Sequence, residues 1–145
     1  MQAQAIDHIC IAVRDLNQAR RQYEDILGLT PHGLYEAPSE SIRVARYYLG
    51  QVALELMEPL NDDCEVARFL RSKGEGVFLM AYRVPDVQAG LDELKAKGYR
   101  VIDQAPRRLM GNRYAFLTPP RDTCGVLTEI VDGKFDGSYD NPTTG

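Results

Sequence analysis

The sequence predicts an α+β fold: two βαβββ modules in tandem, forming a curved, mostly antiparallel sheet around one cavity. Three observations carry this. An internal repeat recurs at an offset of 71 residues. Each copy pairs an apolar strand with a helix that opens on an aspartate. The 145-residue chain, 44 % hydrophobic and 26 % charged, is long enough to bury roughly two thirds of its unfolded surface in one core.

The elements follow in order. Ile6 to Val13 and Val77 to Val84 are apolar strands, each followed by a short turn, an aspartate (Asp15, Asp86) and an aliphatic residue (Leu16, Val87). Each carboxylate suits a helix N-cap, where it accepts the unpaired N–H groups of the first turn. Leu16, Ala19, Tyr23, Ile26 and Leu27 then keep helical spacing until Gly28; Val87, Leu91 and Leu94 do so until Gly98. Three β-rich pieces come next in each copy. They are Leu34–Tyr35, Ile42–Leu49 and Val52–Met57 in the first, and Arg100–Ile102, Arg113–Leu117 and Val126–Val131 in the second. Gly50-Gln51 marks a tight hairpin, while Pro119-Pro120 and Gly125 bracket a longer connection. Between the copies, Val66, Ala67, Phe69 and Leu70 at helical spacing predict a linking helix over 63–73. Modules over about 4–60 and 76–132, each roughly 55 residues, are too small for good separate cores. One domain over 1–132 is therefore expected. The Gly/Asp/Pro/Thr-rich tail, 133–145, is expected to be an extended or mobile end.

Composition narrows the function. A net charge of −4 and a pI near 5.2 argue against nucleic acid, whose phosphates need a concentrated basic face. No apolar run approaches the roughly 20 residues that span a bilayer. The start, MQAQAIDHIC, has no basic n-region, so a cytoplasmic protein is expected. Cys10, Cys64 and Cys124 have neither disulfide nor zinc spacing. Each is expected to be a small buried hydrophobe in a reduced protein. Only two histidines occur, His8 and His32; the Thr-Pro-His-Gly context of His32 reads as a surface loop.

Three polar residues interrupt apolar strands: His8 in the first, Glu55 within Ala53–Met57, and Glu129 within Leu127–Val131. Glu55 and Glu129 are repeat-equivalent. A buried, unpaired carboxylate costs several kcal/mol, so it needs a partner, a metal or water. A solvated sheet face is the alternative for either one alone. Together, His8, Glu55 and Glu129 are compatible with an octahedral divalent ion such as Mn²⁺, Co²⁺, Ni²⁺ or Fe²⁺.

IDHICIAV (Ile6–Val13), the helix end YEDILGL (Tyr23–Leu29), LELMEPL (Leu54–Leu60), EVARFLRSKGEG (Glu65–Gly76) and CGVLTEIV (Cys124–Val131) together resemble the vicinal oxygen chelate superfamily, the glyoxalase and dioxygenase-like fold. The pattern is most similar to the methylmalonyl-CoA epimerases and runs from Ile6 to Val131. The resemblance implies four metal-ligand positions, which fall on His8, Glu55, Leu79 and Glu129. Three match; Leu79 cannot coordinate. It also implies an acid–base carboxylate in the segment Pro38-Ser39-Glu40-Ser41, where Ser39 holds the carboxylate position and Glu40 is one residue along.

What the resemblance implies is an isomerase or lyase that abstracts a proton next to a carbonyl. Glu129, Glu55, His8 and Glu40 are the implied catalytic residues, and His8, Glu55 and Glu129 the implied ligands of a divalent metal (Co, Mn, Ni or Fe). An acyl-CoA or other carbonyl compound is the implied substrate, and a homodimer the implied assembly. Two alternatives stay open. One is a metal-independent cyclase or isomerase of a biosynthetic pathway, with Leu79 and its neighbours lining an apolar substrate site and His8 with Glu129 or Glu55 as its acid–base pair. The other is a sequestering protein without catalysis, against which the three retained positions speak. Arg107, Arg108 and Arg113 around Gly111 read as a loop cluster, solvated or facing a CoA phosphate. Tyr47, Tyr48, Tyr82 and Tyr114 read mainly as packing.

Overall fold

Capping fixes the helix ends in the computed structural model, which describes residues 1–135. Its elements are β1 (Ala5–Ala12), α1 (Leu16–Leu27), β2 (Gly33–Ala37), β3 (Ile42–Leu49), β4 (Val52–Pro59), α2 (Glu65–Lys73), β5 (Gly76–Arg83), α3 (Val87–Ala96), β6 (Arg107–Leu109), β7 (Asn112–Phe116) and β8 (Leu127–Gly133). A short 3-10 turn at Pro120–Thr123 precedes β8. The fold is α+β, as expected, and each module runs βαβββ. Of the predicted tail, 134–135 follow β8 and the remainder lies outside the described residues. No described helix is long and apolar enough to cross a membrane.

The described residues divide into two units whose boundaries fall inside β1 and β5: Ile9–Phe78, and Met1–His8 together with 79–135. In the Ile9–Phe78 unit, Asp15 Oδ1 accepts from Gln18 N at 3.0 Å, and Glu58 Oε2 accepts from Leu16 N at 2.6 Å. Two orphan donors of α1 are thereby satisfied. Gly28 ends the helix in the left-handed region (φ 66°). Strands β2, β3 and β4 form an antiparallel meander. Val13, Leu16, Ala19, Ala45, Tyr47 and Leu56 make the core, each large aliphatic contributing ~1.5–3 kcal/mol on burial. The helical periodicity fails at its end, for Ile26 is 76 % exposed and Leu27 is also exposed. From α2, Val66, Ala67 and Leu70 are buried.

In the other unit, β5 pairs β8 in parallel, β8 pairs β7 and β7 pairs β6, both antiparallel. Asp86 Oδ1 caps α3 at Ala89 N (2.9 Å), and Asp132 Oδ2 accepts from Val87 N (2.7 Å). The core is Val84, Val87, Leu91, Val101, Ala115, Leu117 and Ile130. Gly90 lets α3 approach closely, because a Cβ there would lie 3.0 Å from Ile130 Cδ1 and 2.7 Å from Met1 Sδ.

Three local expectations are corrected. Arg100–Ile102 is not a strand; that segment docks through buried Val101 and through Ile102 N and Asp103 N, which donate to Leu117 O and Phe116 O. The strand that completes the module is β6, joined to β7 by Met110-Gly111. Both turn residues have positive φ (49° and 81°), as a tight I′-type hairpin demands. Arg107 and Arg113 consequently lie on strands, not in a loop. Arg107 bonds Asp103 at 2.8 Å, and Arg113 grips Asp132 with two bonds of 2.6 and 2.9 Å. Of the cysteines Cys10 alone is buried; Cys64 is half-buried and Cys124 exposed, the latter at φ 58° closing the 3-10 turn.

Candidate functional site

Each unit holds its own buried polar cluster. In the unit formed by Met1–His8 and the chain from Leu79, β8 places Glu129 opposite Ala81 of β5. Glu129 is 6 % exposed and His8 is likewise buried, which excludes the solvated-face reading. His8 Nε2 lies 3.1 Å from Glu129 Oε2, while its Nδ1 lies 2.8 Å from Asp7 Oδ2. Arg83 donates to Asp7 Oδ1 from Nη2 (2.7 Å) and Nε (3.1 Å). Burial pushes the Asp7 carboxyl up, but the hydrogen bond and charge of His8 and the Arg83 guanidinium outweigh it and hold the pKa at about 2.

The chemistry of the His8 ring follows. An ionised Asp7 can only accept, so Nδ1 carries a proton and donates to it. The second ring nitrogen, Nε2, faces Glu129 Oε2. One carboxylate thus orients the imidazole, and the other is placed within reach of its second nitrogen, a geometry that can serve an acid–base pair.

In the Ile9–Phe78 unit, the β3–β4 ladder sets Arg46 directly opposite Glu55. Arg46 Nη1 donates to Glu55 Oε2 at 2.9 Å. Tyr35 Oη donates to the same oxygen at 2.5 Å, and Cys10 Sγ donates to Oε1 at 3.5 Å. Glu55 is 2 % and Arg46 5 % exposed, so this is an ion pair taken almost wholly out of water. Tyr48 Oη accepts from Arg46 Nε (3.2 Å) and Nη2 (3.1 Å), and its ring lies under the guanidinium. Burial alone would lower the Arg46 pKa; the Glu55 charge and the hydrogen bonds to Tyr48 and Glu55 override it and raise it. For Tyr35, burial and the Glu55 charge both push the phenol well above its ordinary value, so it stays a donor.

Glu40 lies in the turn between β2 and β3, where its N–H donates to Ala37 O at 3.0 Å, and it is half-buried. Strand alternation therefore does not govern which way it points. His32 is exposed, as its loop context predicts, with its ring edge-on to Tyr48. An apolar depression of about 390 Å³ lined by Met80, Tyr82, Thr128 and Ile130 belongs to the opposite face of β5 and β8 from Leu79, Ala81 and Glu129.

Two features oppose a divalent ion at the implied positions. Leu79, at the fourth position, is buried hydrocarbon. Glu55 gives both oxygens to donors of its own unit, one of them a guanidinium.

Sequence reasoning found His8, Glu55 and Glu129 but missed Asp7, Tyr35, Arg46 and Cys10. A signal for Arg46 was present. With Gly50-Gln51 as the hairpin turn, Leu49 pairs with Val52, and counting back along the ladder brings Arg46 opposite Glu55.

The Glyoxalase/Bleomycin resistance protein/Dioxygenase superfamily model matches residues 7–116, a stretch that includes His8, Glu55 and Leu79 and ends before Glu129. An uncharacterized Bacillus subtilis protein is 37 % identical, over 90 % of this chain and 94 % of its own length. Mitochondrial methylmalonyl-CoA epimerase of Mus musculus is 32 % identical, over 86 % of this chain and 71 % of its own. A Streptomyces coelicolor methylmalonyl-CoA epimerase variant solved in complex with 2-nitronate-propionyl-CoA has a TM-score of 0.84 at 35 % identity, covering 90 % of this chain and 97 % of that one.

Proposed function

Because the chain belongs to the Glyoxalase/Bleomycin resistance protein/Dioxygenase superfamily, we propose that it is an epimerase-type isomerase that moves the proton next to the carbonyl of an acyl-CoA. The observation that carries this reading is the buried contact between His8 Nε2 and Glu129 Oε2, backed by Asp7. The likeness to methylmalonyl-CoA epimerases supports the substrate class.

In this reading Glu129 takes the α-proton. The C–H bond breaks, its electron pair enters the enolate, and the proton is shared with His8 Nε2. Asp7 keeps the ring in one orientation while charge shifts between the two partners. Delivery of a proton to the opposite face of the enolate gives the epimer; Glu40, protonated at the start and left as the carboxylate, is the residue proposed for that second role. Glu55, tied to Arg46, Tyr35 and Cys10, positions its surroundings and holds no proton in transit.

Burial of Leu79 where a ligand would stand favours a second version of the same chemistry: a metal-independent isomerase or cyclase acting on a more apolar carbonyl compound. The test is wash-in of solvent deuterium at the α-carbon of methylmalonyl-CoA. Exchange by the folded protein, abolished in Glu129→Gln, is expected. Folded protein that binds the thioester without exchanging it would overturn the reading and assign a sequestering role.

A further inference from the structure

We infer that Arg46 is the resident cation of this protein, balancing Glu55 so that the chain works without a divalent metal. The inference rests on the isomerase reading for its chemistry but not for its geometry. Register puts the two residues opposite each other on adjacent strands, both are buried, and Nη1 meets Oε2 at 2.9 Å. Tyr48 holds the guanidinium from its other edge, so Arg46 is fixed by its neighbours on both sides.

A guanidinium does not lose its proton inside a protein. A divalent ion at Glu55 would therefore have to approach a fixed positive charge, or expel it and leave that charge buried without its partner. Either course opposes binding. Tyr35 and Cys10 add donors to the same carboxylate, and a group that accepts from three donors has little lone-pair capacity left for a metal. At Glu55, Arg46 supplies the positive charge that a metal there would have supplied. The enolate of a metal-free reaction then has to be stabilised by hydrogen-bond donors, which suits substrates such as thioesters, whose α-protons are comparatively acidic.

The test is a Co²⁺ titration of metal-stripped protein, read by ligand-field absorption and by calorimetry. The wild type is expected to show no saturable binding. The variant Arg46→Met is expected to gain one saturable Co²⁺ with visible bands, lost again when Glu55→Gln is added. Stoichiometric Co²⁺ on the wild type, lost in Glu55→Gln, would overturn the inference. Should Arg46→Met not fold, Arg46→Lys decides: with the positive charge kept it is expected to stay without metal, and saturable binding there that is lost in Glu55→Gln would refute the role given to Arg46. Deuterium exchange separates the two readings. No exchange by a protein that also binds no Co²⁺ sinks the isomerase reading and leaves Arg46 as the resident cation. Exchange that requires Co²⁺ does the reverse.

Discussion

Arg46 and Glu55 face each other across the β3–β4 ladder at 2.9 Å, both removed from solvent. Breaking one side of such a pair strands the other charge. Arg46→Ala is expected to destabilise the fold by about 3–5 kcal/mol, measured by urea unfolding. The double variant Arg46→Met/Glu55→Leu removes both charges and is expected to recover most of that loss.

Tyr35 donates to the same carboxylate, so Tyr35→Phe leaves a charged acceptor short of one partner. A loss of about 1.5–3 kcal/mol is expected. Spectrophotometric titration should show one fewer late-ionising tyrosine in Tyr35→Phe than in the wild type, because burial and the Glu55 charge raise the Tyr35 phenol.

Glu129→Gln keeps the shape of the side chain and removes its basicity. The rate of α-proton exchange is expected to fall about 10²–10⁴-fold with the circular dichroism spectrum unchanged. Asp7→Asn removes the group that orients the ring through Nδ1. Its effect should appear in kcat and in the pH profile more than in KM, because Asp7 contacts His8 and Arg83.

Asp132 supplies the pH-dependent stability test. Burial pushes its carboxyl up, but the Arg113 hydrogen bond and charge and the Val87 N–H outweigh that, and the folded pKa is lowered. A lowered folded value means the contribution is fully present above the unfolded carboxylate pKa, about 3.9. It is lost as pH falls through the folded value. Wild-type protein should lose stability below about pH 4 more steeply than Asp132→Asn, by thermal unfolding across that range.

Leu91, on the inner face of α3, is wholly buried. Leu91→Ala is expected to cost about 2–5 kcal/mol, whereas Ile26→Ala, at an exposed helix end, should change stability by less than about 0.5 kcal/mol.

Much of this was legible in the sequence because the signals were local. The aspartate caps at Asp15 and Asp86, the glycine stop at Gly28 and the Gly50-Gln51 hairpin each depend on a few neighbouring residues. The β6–β7 hairpin was not legible, since Met110-Gly111 lacks the Asn-Gly or Asp-Gly pair that ordinarily marks positive φ at both turn positions. His8 and Glu129 stood out as polar residues in apolar strands. Asp7 did not, because its significance lies in Arg83, 76 positions along the chain. Arg46 lay within reach through hairpin register, but an arginine beside three apolar neighbours reads first as a solvated side chain. Exposure at Ile26 and Leu27 has the opposite cause: helical spacing marks a face and does not say where its cover ends.

The division of β1 carries a consequence for how the protein is made. Residues Met1–His8 belong with 79–135, and the contact between His8 and Glu129 spans 121 positions. A ribosome delivers both Arg46 and Glu55 long before β8 emerges. The opening residues must wait for that last strand. The contact between His8 and Glu129 is thus assembled late in synthesis, whereas Arg46 and Glu55, nine positions apart, can meet early.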